Sequence, residues 1–343
     1  MSQKVDFLIV GGGASGRLLQ LELMKRGKST LVIDDCGANR CTKIAAGLAN
    51  PLIGKYFTIG WRVPEFFSDL RSYYEELELR LNATFFRPCD LQRIISNPGE
   101  QNTWLSKAHK DKYKGFCKYQ ALDFDGLSNP YGVITVDKGG EMNTRSFLEA
   151  CEKQLPTMDT RVNYEKLNAG KSKYEGIEYT NTIFCEGYEV MYNPWFKDLV
   201  NIVPTKGEIL EIETDLQPKG DIFLGGVFIQ HIENKRWRVG STYAPKDTSI
   251  NPTEEKKNEL LSRLNNVLKL ECQVVNHKVG TRPASKDRRP ICGVHPEISN
   301  LYVFNGMGSK AVSMAPRLST EMCDFILEGT PLNQDINLTR FEK

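Results

Sequence analysis

A glycine-rich turn close to the N-terminus constrains the fold of this chain more than any other feature. The G-x-G-x-x-G sequence at residues 11–16 follows an apolar run, 5–10, that predicts a buried strand, and it precedes a helical pattern at 18–26. Glycine allows the chain to turn tightly and lets backbone amides approach a pyrophosphate at the helix N-terminus. The residues predicted to contact a dinucleotide here are Gly11, Gly13, Ala14, Ser15 and Gly16.

An acidic residue completes this βαβ pattern. Asp34 ends a second predicted strand, 29–33, where a carboxylate accepts hydrogen bonds from the ribose of adenosine. The same turn binds the pyrophosphate of NAD and of FAD, so the turn alone is compatible with three classes of protein. These are an FAD enzyme, an NAD-dependent dehydrogenase and a nucleotide-sensing module without turnover.

Composition argues against several other classes of protein. The 343 residues are 40% hydrophobic, enough for two packed units, and a net charge of +2 gives no polyanion-binding signature. The nine cysteines include no C-x-x-C pair and the four histidines are isolated, which argues against a disulfide framework and a metal site. No stretch has the length of a signal peptide or a membrane span. We therefore expect a cytoplasmic protein that does not associate with membranes.

Helical and strand patterns alternate along the rest of the chain. One amphipathic helix is predicted at 64–81, and a final helix is predicted to begin at Pro316. Residues 203–243 alternate in a way that predicts an antiparallel sheet. The strands expected to return the chain to the first sheet are 160–164, 176–179 and 182–185.

Two further segments carry a family resemblance. The sequence NTIFCEG at 181–187 resembles the second element that flavoproteins of the glutathione-reductase type place near the FAD pyrophosphate, which implies a cofactor role for Glu186 and Gly187. The segment from Val279 to Leu327 resembles the C-terminal signature of the D-amino-acid-oxidase superfamily of FAD-dependent oxidoreductases. The matching residues are Gly280, Arg282, Pro283, Asp287, Pro290, Gly293, Gly306, Gly308 and Pro316.

Within this superfamily the chain resembles glycine oxidase and sarcosine oxidase. The turn GMGSKA at 306–311 is also similar to the GHGSRG-like turn in the oxidase half of the bifunctional enzyme that modifies the wobble uridine of bacterial tRNA. The fold that the resemblance implies is α/β, with a discontinuous Rossmann-type, glutathione-reductase-like FAD-binding domain and an inserted mixed or antiparallel β-sheet substrate domain. We expect the FAD-binding domain at 1–50, 139–200 and 276–343, and the substrate domain at 51–138 and 201–275.

The resemblance also implies which residues surround FAD. A loop is expected to wrap the phosphates and ribityl chain, Val162 lies where a strand meets the adenine, and a second glycine turn faces the flavin pyrimidine. The expected loop residues are Arg40, Thr42, Lys43, Ala46 and Gly47, and the expected turn residues are Gly306, Met307, Gly308, Ser309 and Lys310. No cysteine lies at the position of the covalent flavin link in sarcosine oxidase, so we expect non-covalent FAD.

Four residues are candidates for contact with substrate. Arg282 matches the superfamily arginine that binds a substrate carboxylate, and the alternative is an ion pair with Asp287 or with a carboxylate at a sheet edge. Lys310 is expected to add positive charge near the flavin or to face solvent. Arg238 resembles in position a lysine that sarcosine oxidase uses toward oxygen, and Tyr243 is expected to line the substrate cavity or to be buried.

The function predicted from these observations is oxidation of the carbon beside an amine in a small amino acid or N-substituted glycine, with hydride passing to flavin N5. The alternative within the superfamily is removal of a carboxymethyl group from a carboxymethylaminomethyl uridine in tRNA. In that case the polyanion is expected to bind at residues 107–118 or at Arg288 and Arg289.

Overall fold

The first of two large sheets confirms the predicted dinucleotide-binding unit. The computed structural model describes residues 3–37, 41–54, 56–168 and 172–341. The first five strands of the first sheet are parallel, the sixth is antiparallel to the fifth, and Lys173–Tyr174 pairs with the fourth. In spatial order they are Thr157–Asp159, Thr30–Asp34, Gln3–Val10, Ile177–Phe184, Leu301–Asn305 and Ile291–Val294.

The second large sheet is mixed. Its strands are antiparallel except for one parallel pair, Leu91–Ile94 with Ile222–Gly225. In spatial order they are Ala244–Pro245, Ile202–Thr214, Arg236–Gly240, Val227–Glu233, Ile222–Gly225, Leu91–Ile94, Val133–Val136 and Cys117–Gln120, with Cys272–Ser285 also paired to Ile202–Thr214. The fold class is therefore the expected α/β arrangement. Cys272–Ser285 contains residue 276, so this one strand extends across the two predicted domains.

Short sheets and helices cover these two layers. The small sheets comprise Leu48–Ala49, Gly140–Met142 and Phe86–Pro88, and separately Leu52–Ile53 and Thr58–Ile59. The α-helices are Ala14–Lys25, Cys41–Ile44, Val63–Phe66, Leu70–Arg80, Pro98–Ala108, Thr144–Gln154, Glu254–Asn265 and Ala311–Glu328. The 3-10 helices are Asp111–Tyr113, Gly187–Tyr192 and Leu338–Phe341. No helix in the described residues combines the length and apolar character that a membrane crossing requires.

The hydrophobic core positions the first glycine turn. Helix Ala14–Lys25 buries nearly all of its residues, packing on the first sheet and against the last helix, Ala311–Glu328. Phe7 and Ile9 face one side of the sheet and Leu8 and Val10 the other, so the central strand is buried on both faces. Burial on both faces fixes the carboxyl end of this strand, where the turn begins.

The predicted helix at 64–81 is wrong as a single element. The structure has two helices there, Val63–Phe66 and Leu70–Arg80. Between them the Ser68 hydroxyl donates to the Glu65 carbonyl, a side-chain bond that competes with helical pairing.

The predicted strand at 160–164 is also wrong, because the strand ends at Asp159. The Asn163 side chain accepts from the Glu165 amide at 3.0 Å, which folds the chain into a turn. Val162 therefore lies outside any strand. It packs partly buried against the core on one face of the first sheet.

The last helix begins earlier than predicted. It starts at Ala311, and Pro316 lies inside it. Proline has no N–H to donate to the carbonyl four residues earlier, that of Val312. The buried Tyr74 hydroxyl donates to this carbonyl at 2.6 Å and replaces the missing bond.

Candidate active site

The first glycine turn has a backbone that only glycine fits at two positions. A Cβ on Gly16 would lie 2.0 Å from the Gly11 carbonyl oxygen, and a Cβ on Gly11 would lie 2.5 Å from the Cys185 carbonyl oxygen. Gly11 also has a φ of +99°. Helix Ala14–Lys25 begins at Gly13 without a side-chain cap, so its first turn presents backbone toward the space above the strand ends. This geometry fits a diphosphate.

Asp34 lies next to this turn, as predicted. A Cβ on Gly12 would be 3.0 Å from an Asp34 carboxylate oxygen. Because both strands end at this edge of the parallel sheet, the acid and the turn face the same space. Arg40, predicted to contact FAD, lies outside the described residues.

The loop that follows strand Thr30–Asp34 forms hydrogen bonds and close backbone contacts near the first glycine turn. Thr42 Oγ1 accepts from the Ala14 amide at 3.1 Å, so Thr42 holds the helix N-terminus. The Lys43 ammonium donates to the Cys36 carbonyl at 2.9 Å. Gly47 has a φ of +69°, and a Cβ there would lie 1.9 Å from the Met142 carbonyl oxygen. Backbone therefore approaches backbone at Gly47, as small residues in this loop predict.

The second sheet holds the same loop through two side chains. Arg238 Nη1 donates to the Ala45 carbonyl at 3.3 Å, and Gln230 Nε2 donates to the Ala46 carbonyl at 2.9 Å. Burial lowers the pKa of the Arg238 guanidinium, whose other contact is Gln230 Oε1 at 3.4 Å. Sequence reasoning missed Gln230, because a glutamine in an alternating strand carries no signal of a contact 184 residues away. These contacts make the loop the junction between the two sheets.

Glu186 carries a buried carboxyl group beside the first turn. The Tyr164 hydroxyl donates to one carboxyl oxygen, and Asn193 Nδ2 donates to the other at 2.8 Å. Burial raises the pKa of Glu186 to about 7, although both hydrogen bonds act in the opposite direction. The adjacent Gly187 carbonyl accepts from Asn305 Nδ2 at 2.9 Å, which links this segment to the second glycine turn.

The raised pKa of Glu186 predicts a pH dependence of stability. The unfolded carboxyl loses its proton near pH 4.5, whereas the folded one keeps it to about pH 7, so the free energy of unfolding falls as pH rises between these values. A shift of this size corresponds to about 3 kcal/mol. We expect Glu186→Gln to remove most of this decline, measured by urea unfolding from pH 4 to 8. If the free energy of unfolding falls equally with pH in the wild type and in Glu186→Gln, the raised pKa of Glu186 is contradicted.

The second glycine turn contacts the first. Met307 is buried, and its sulfur accepts from the Ser15 hydroxyl at 3.3 Å. Gly306 and Gly308 have φ values of +75° and +58°, which favour glycine. The Gly308 amide donates to the Pro283 carbonyl at 3.1 Å, so the turn is joined to the strand that carries Arg282. The sequence resemblance predicted this grouping.

Ser309 and Lys310, the last two residues of this turn, differ in their exposure to solvent. Ser309 is exposed, whereas Lys310 is partly buried and lines a cavity with Arg289. Burial and the nearby charges of Arg289 and Arg288 lower the pKa of Lys310. Lys310 is therefore not a freely solvated side chain.

Arg282 is partly buried and forms no salt bridge within the part of the chain that the structure describes. Its Nη2 donates to Ser241 Oγ at 2.6 Å and to the Thr242 carbonyl at 3.3 Å. A Cβ on Gly207 would lie 2.2 Å from Arg282 Nη2, so the guanidinium lies flat on the neighbouring strand. Burial lowers the pKa of Arg282. Asp287 instead pairs with Arg340 at 2.8 Å, which rules out the predicted alternative pair.

Tyr243 follows the two residues that hold Arg282. Its side chain is 59% exposed, so it is not the buried, backbone-bonded tyrosine that was one of the two expectations. Arg282 Nη2 donates to the carbonyl of the preceding residue, Thr242, at 3.3 Å, so Tyr243 follows directly on the guanidinium contact. The structure therefore brings Arg282, Tyr243 and the second glycine turn to one end of the long strand Cys272–Ser285.

A comparison with protein families decides the class of the protein. A family model described as FAD dependent oxidoreductase (DAO) matches residues 6–324. The chain belongs to this family. Members of this family are FAD-dependent oxidoreductases, so the cofactor is FAD, and the NAD-dependent alternative is set aside. The residues fit FAD, because helix Ala14–Lys25 has a glycine without a side-chain cap at its N-cap and the Asp34 carboxylate lies beside the turn.

The chain spans about half the length of the first curated relative and nearly the whole length of the solved structures that it resembles. The bifunctional protein ThiO/ThiG of Trichormus variabilis is 23% identical over 98% of this chain, and the chain spans 55% of that relative. The structure of glycine oxidase from Geobacillus kaustophilus superposes with a TM-score of 0.81 at 18% identity, covering 99% of this chain and 98% of that one. Iminodiacetate oxidase from Chelativorans sp. BNC1 gives a TM-score of 0.74 at 17% identity, covering 98% of each chain. At these identities the solved structures show the shared fold.

Proposed function

We propose that the protein oxidises the carbon beside the amine of a small amino acid or N-substituted glycine. The observation that carries this proposal is Arg282, a partly buried guanidinium with no acidic partner among the described residues. The next residue, Pro283, accepts from the Gly308 amide of the second glycine turn at 3.1 Å. When bound, FAD accepts the hydride. Similarity to a glycine oxidase and an iminodiacetate oxidase supports this class of substrate.

The residues of the chain orient the substrate in this proposal. Arg282 binds the carboxylate through its two-pronged guanidinium, and Ser241 and Thr242 hold that guanidinium in place. Tyr243 covers the open side of the site. Fixing the carboxylate places the adjacent carbon at one distance from the second glycine turn, which lowers the entropy lost on reaching the reactive geometry.

We propose that FAD is held without a covalent bond, which the sequence resemblance supports. Acid precipitation of the purified protein is expected to leave all flavin absorbance in the supernatant. Flavin retained in the pellet after washing in denaturant would contradict non-covalent binding.

The nine cysteines are free thiols, which supports the expected reducing, cytoplasmic location.

The proposal is tested by anaerobic absorption spectra of the FAD-loaded protein. We expect glycine, sarcosine or another N-substituted glycine to bleach the flavin bands, because substrate oxidation transfers two electrons to the flavin. Carboxymethylaminomethyl-modified tRNA serves as the competing substrate. Bleaching by the tRNA alone would replace the proposal by the tRNA alternative, and no bleaching by either class would reject both.

A further inference from the structure

Arg17 is a buried cation at the start of the first helix, Ala14–Lys25. It has no exposed surface, although arginine is almost never fully buried unless it is paired. Its Nη1 donates to Gln20 Oε1 and to Thr157 Oγ1, both at 2.9 Å. Both acceptors are neutral, and among the described residues no carboxylate forms an ion pair with this guanidinium. The positive charge is therefore buried without a counter-charge in contact.

The same guanidinium has two nitrogens without a hydrogen-bond partner in the part of the chain that the structure describes. Nε and Nη2 are both buried, so they have lost their bonds to water and gained none from these residues. Burial lowers the pKa of Arg17, and the nearby ionisable groups of Cys151, Glu152 and Cys36 oppose this effect. Arginine stays protonated even so, and the folded protein therefore carries the electrostatic cost of a buried charge at this position.

Arg17 directly follows the first glycine turn. Its backbone amide donates to the carbonyl of Gly13, the N-cap, at 3.0 Å, so the residue belongs to the first turn of the helix. Thr157, which accepts from Nη1, lies in the edge strand that pairs with Thr30–Asp34. The guanidinium therefore lies between this edge strand and the start of the helix. Both neighbours belong to the FAD site, because the helix N-terminus fits the diphosphate and Asp34 lies beside the turn.

We propose that Arg17 is an electrostatic part of the FAD site, whose buried charge strengthens binding of the cofactor diphosphate without touching it. The N-terminus of a helix carries only a partial positive charge, whereas the guanidinium adds a full charge in the same helical turn. Solvent ions screen this charge little, because the side chain is buried. The diphosphate in turn offsets the cost of the buried cation, since the coupling between the two is reciprocal. The inference concerns the cofactor and holds whichever amine the enzyme oxidises.

The test compares ligands that differ in their phosphate charge. Dissociation constants of FAD, ADP and adenosine are measured for the FAD-free wild type and Arg17→Gln, by flavin fluorescence for FAD and by displacement of FAD for the other two. Removing the buried charge is expected to weaken binding of FAD and ADP about tenfold, and to leave adenosine, which has no phosphate, within about twofold. Arg17→Met is a second neutral variant if Arg17→Gln does not fold.

Two further variants separate the charge of Arg17 from its packing. Arg17→Lys keeps the charge and is expected to bind all three ligands within about threefold of the wild type. Gln20→Met removes an acceptor of Arg17 and leaves the charge in place. The FAD-free Gln20→Met protein is therefore expected to unfold at a lower temperature, with an unchanged ratio of ADP to adenosine affinity.

Three outcomes would overturn the proposal. Equal weakening of ADP and adenosine by a neutral variant would show that Arg17 only supports the shape of the site. Unchanged ADP binding in a folded neutral variant would show that its charge does not act on the diphosphate. Binding of ADP to Arg17→Lys as weakly as to Arg17→Gln would show that charge is not the property that matters. Because these are binding measurements, they remain decisive even if no amine bleaches the flavin.

Discussion

Arg282→Ala is expected to lower kcat/KM for carboxylate substrates by at least about a hundredfold, because a bidentate bond from a partly buried guanidinium is lost. FAD should remain bound, since in the described part of the chain the Arg282 guanidinium donates to Ser241 and Thr242 and not to the glycine turns. Steady-state kinetics with an amino acid and its amide measure the effect. The amide, which lacks the carboxylate charge, should lose much less.

The matched variant for this position is Arg282→Lys. It keeps the positive charge but loses the planar fork, so its activity is expected to lie between those of the wild type and Arg282→Ala. Flavin content and thermal unfolding are compared for all three proteins, because Arg282 also holds the Thr242 carbonyl. Wild-type kinetics in Arg282→Ala would remove this residue from the site.

Gly16→Ala is expected to abolish FAD binding and to destabilise the protein by about 3 kcal/mol or more, as overpacking against backbone does. The new Cβ would lie 2.0 Å from the Gly11 carbonyl oxygen, and the turn must open to accept it. Differential scanning of the FAD-free protein and fluorescence titration with FAD measure the two effects separately.

Gly13→Ala is the control that separates the two causes. Its new Cβ would be 3.3 Å from Thr42 Oγ1, so the FAD-free protein should lose only about 1 kcal/mol, as expected when alanine replaces an N-cap glycine. Weakened FAD binding in a stable Gly13→Ala protein would mark direct approach of the cofactor to the turn. Normal FAD binding in Gly16→Ala would show that the turn is not the diphosphate site.

The sequence predicted the features that local pattern determines. The strand at 5–10, the turn at 11–16 and Asp34 follow each other within one βαβ unit, and the structure confirms them. The fold class and the FAD family also followed from motifs at both chain ends. Such features are predictable because the periodicity and the glycine positions are contained in short stretches of sequence.

Features that depend on distant partners were not predictable. The helix continues through Pro316 because the Tyr74 hydroxyl bonds the Val312 carbonyl, 238 residues away in sequence. No local sequence pattern predicts this bond. The hydrogen bond from the Ala14 amide to Thr42 Oγ1 joins residues 28 positions apart, and the sequence pattern did not predict it. Gln230 had no expected role at all, because its contact with the Ala46 carbonyl exists only after both sheets have formed.

The long strand Cys272–Ser285 fixes the distance between Arg282 and the second glycine turn. It pairs with Ile202–Thr214 along its length, and Ala284 then bridges to Met307. Two residues of extended chain, about 7 Å, therefore separate the backbone at Arg282 from the backbone at the flavin turn. Covalent geometry sets this spacing, so under the proposed function amines with a longer arm between carboxylate and nitrogen are expected to be poorer substrates, without any closing motion.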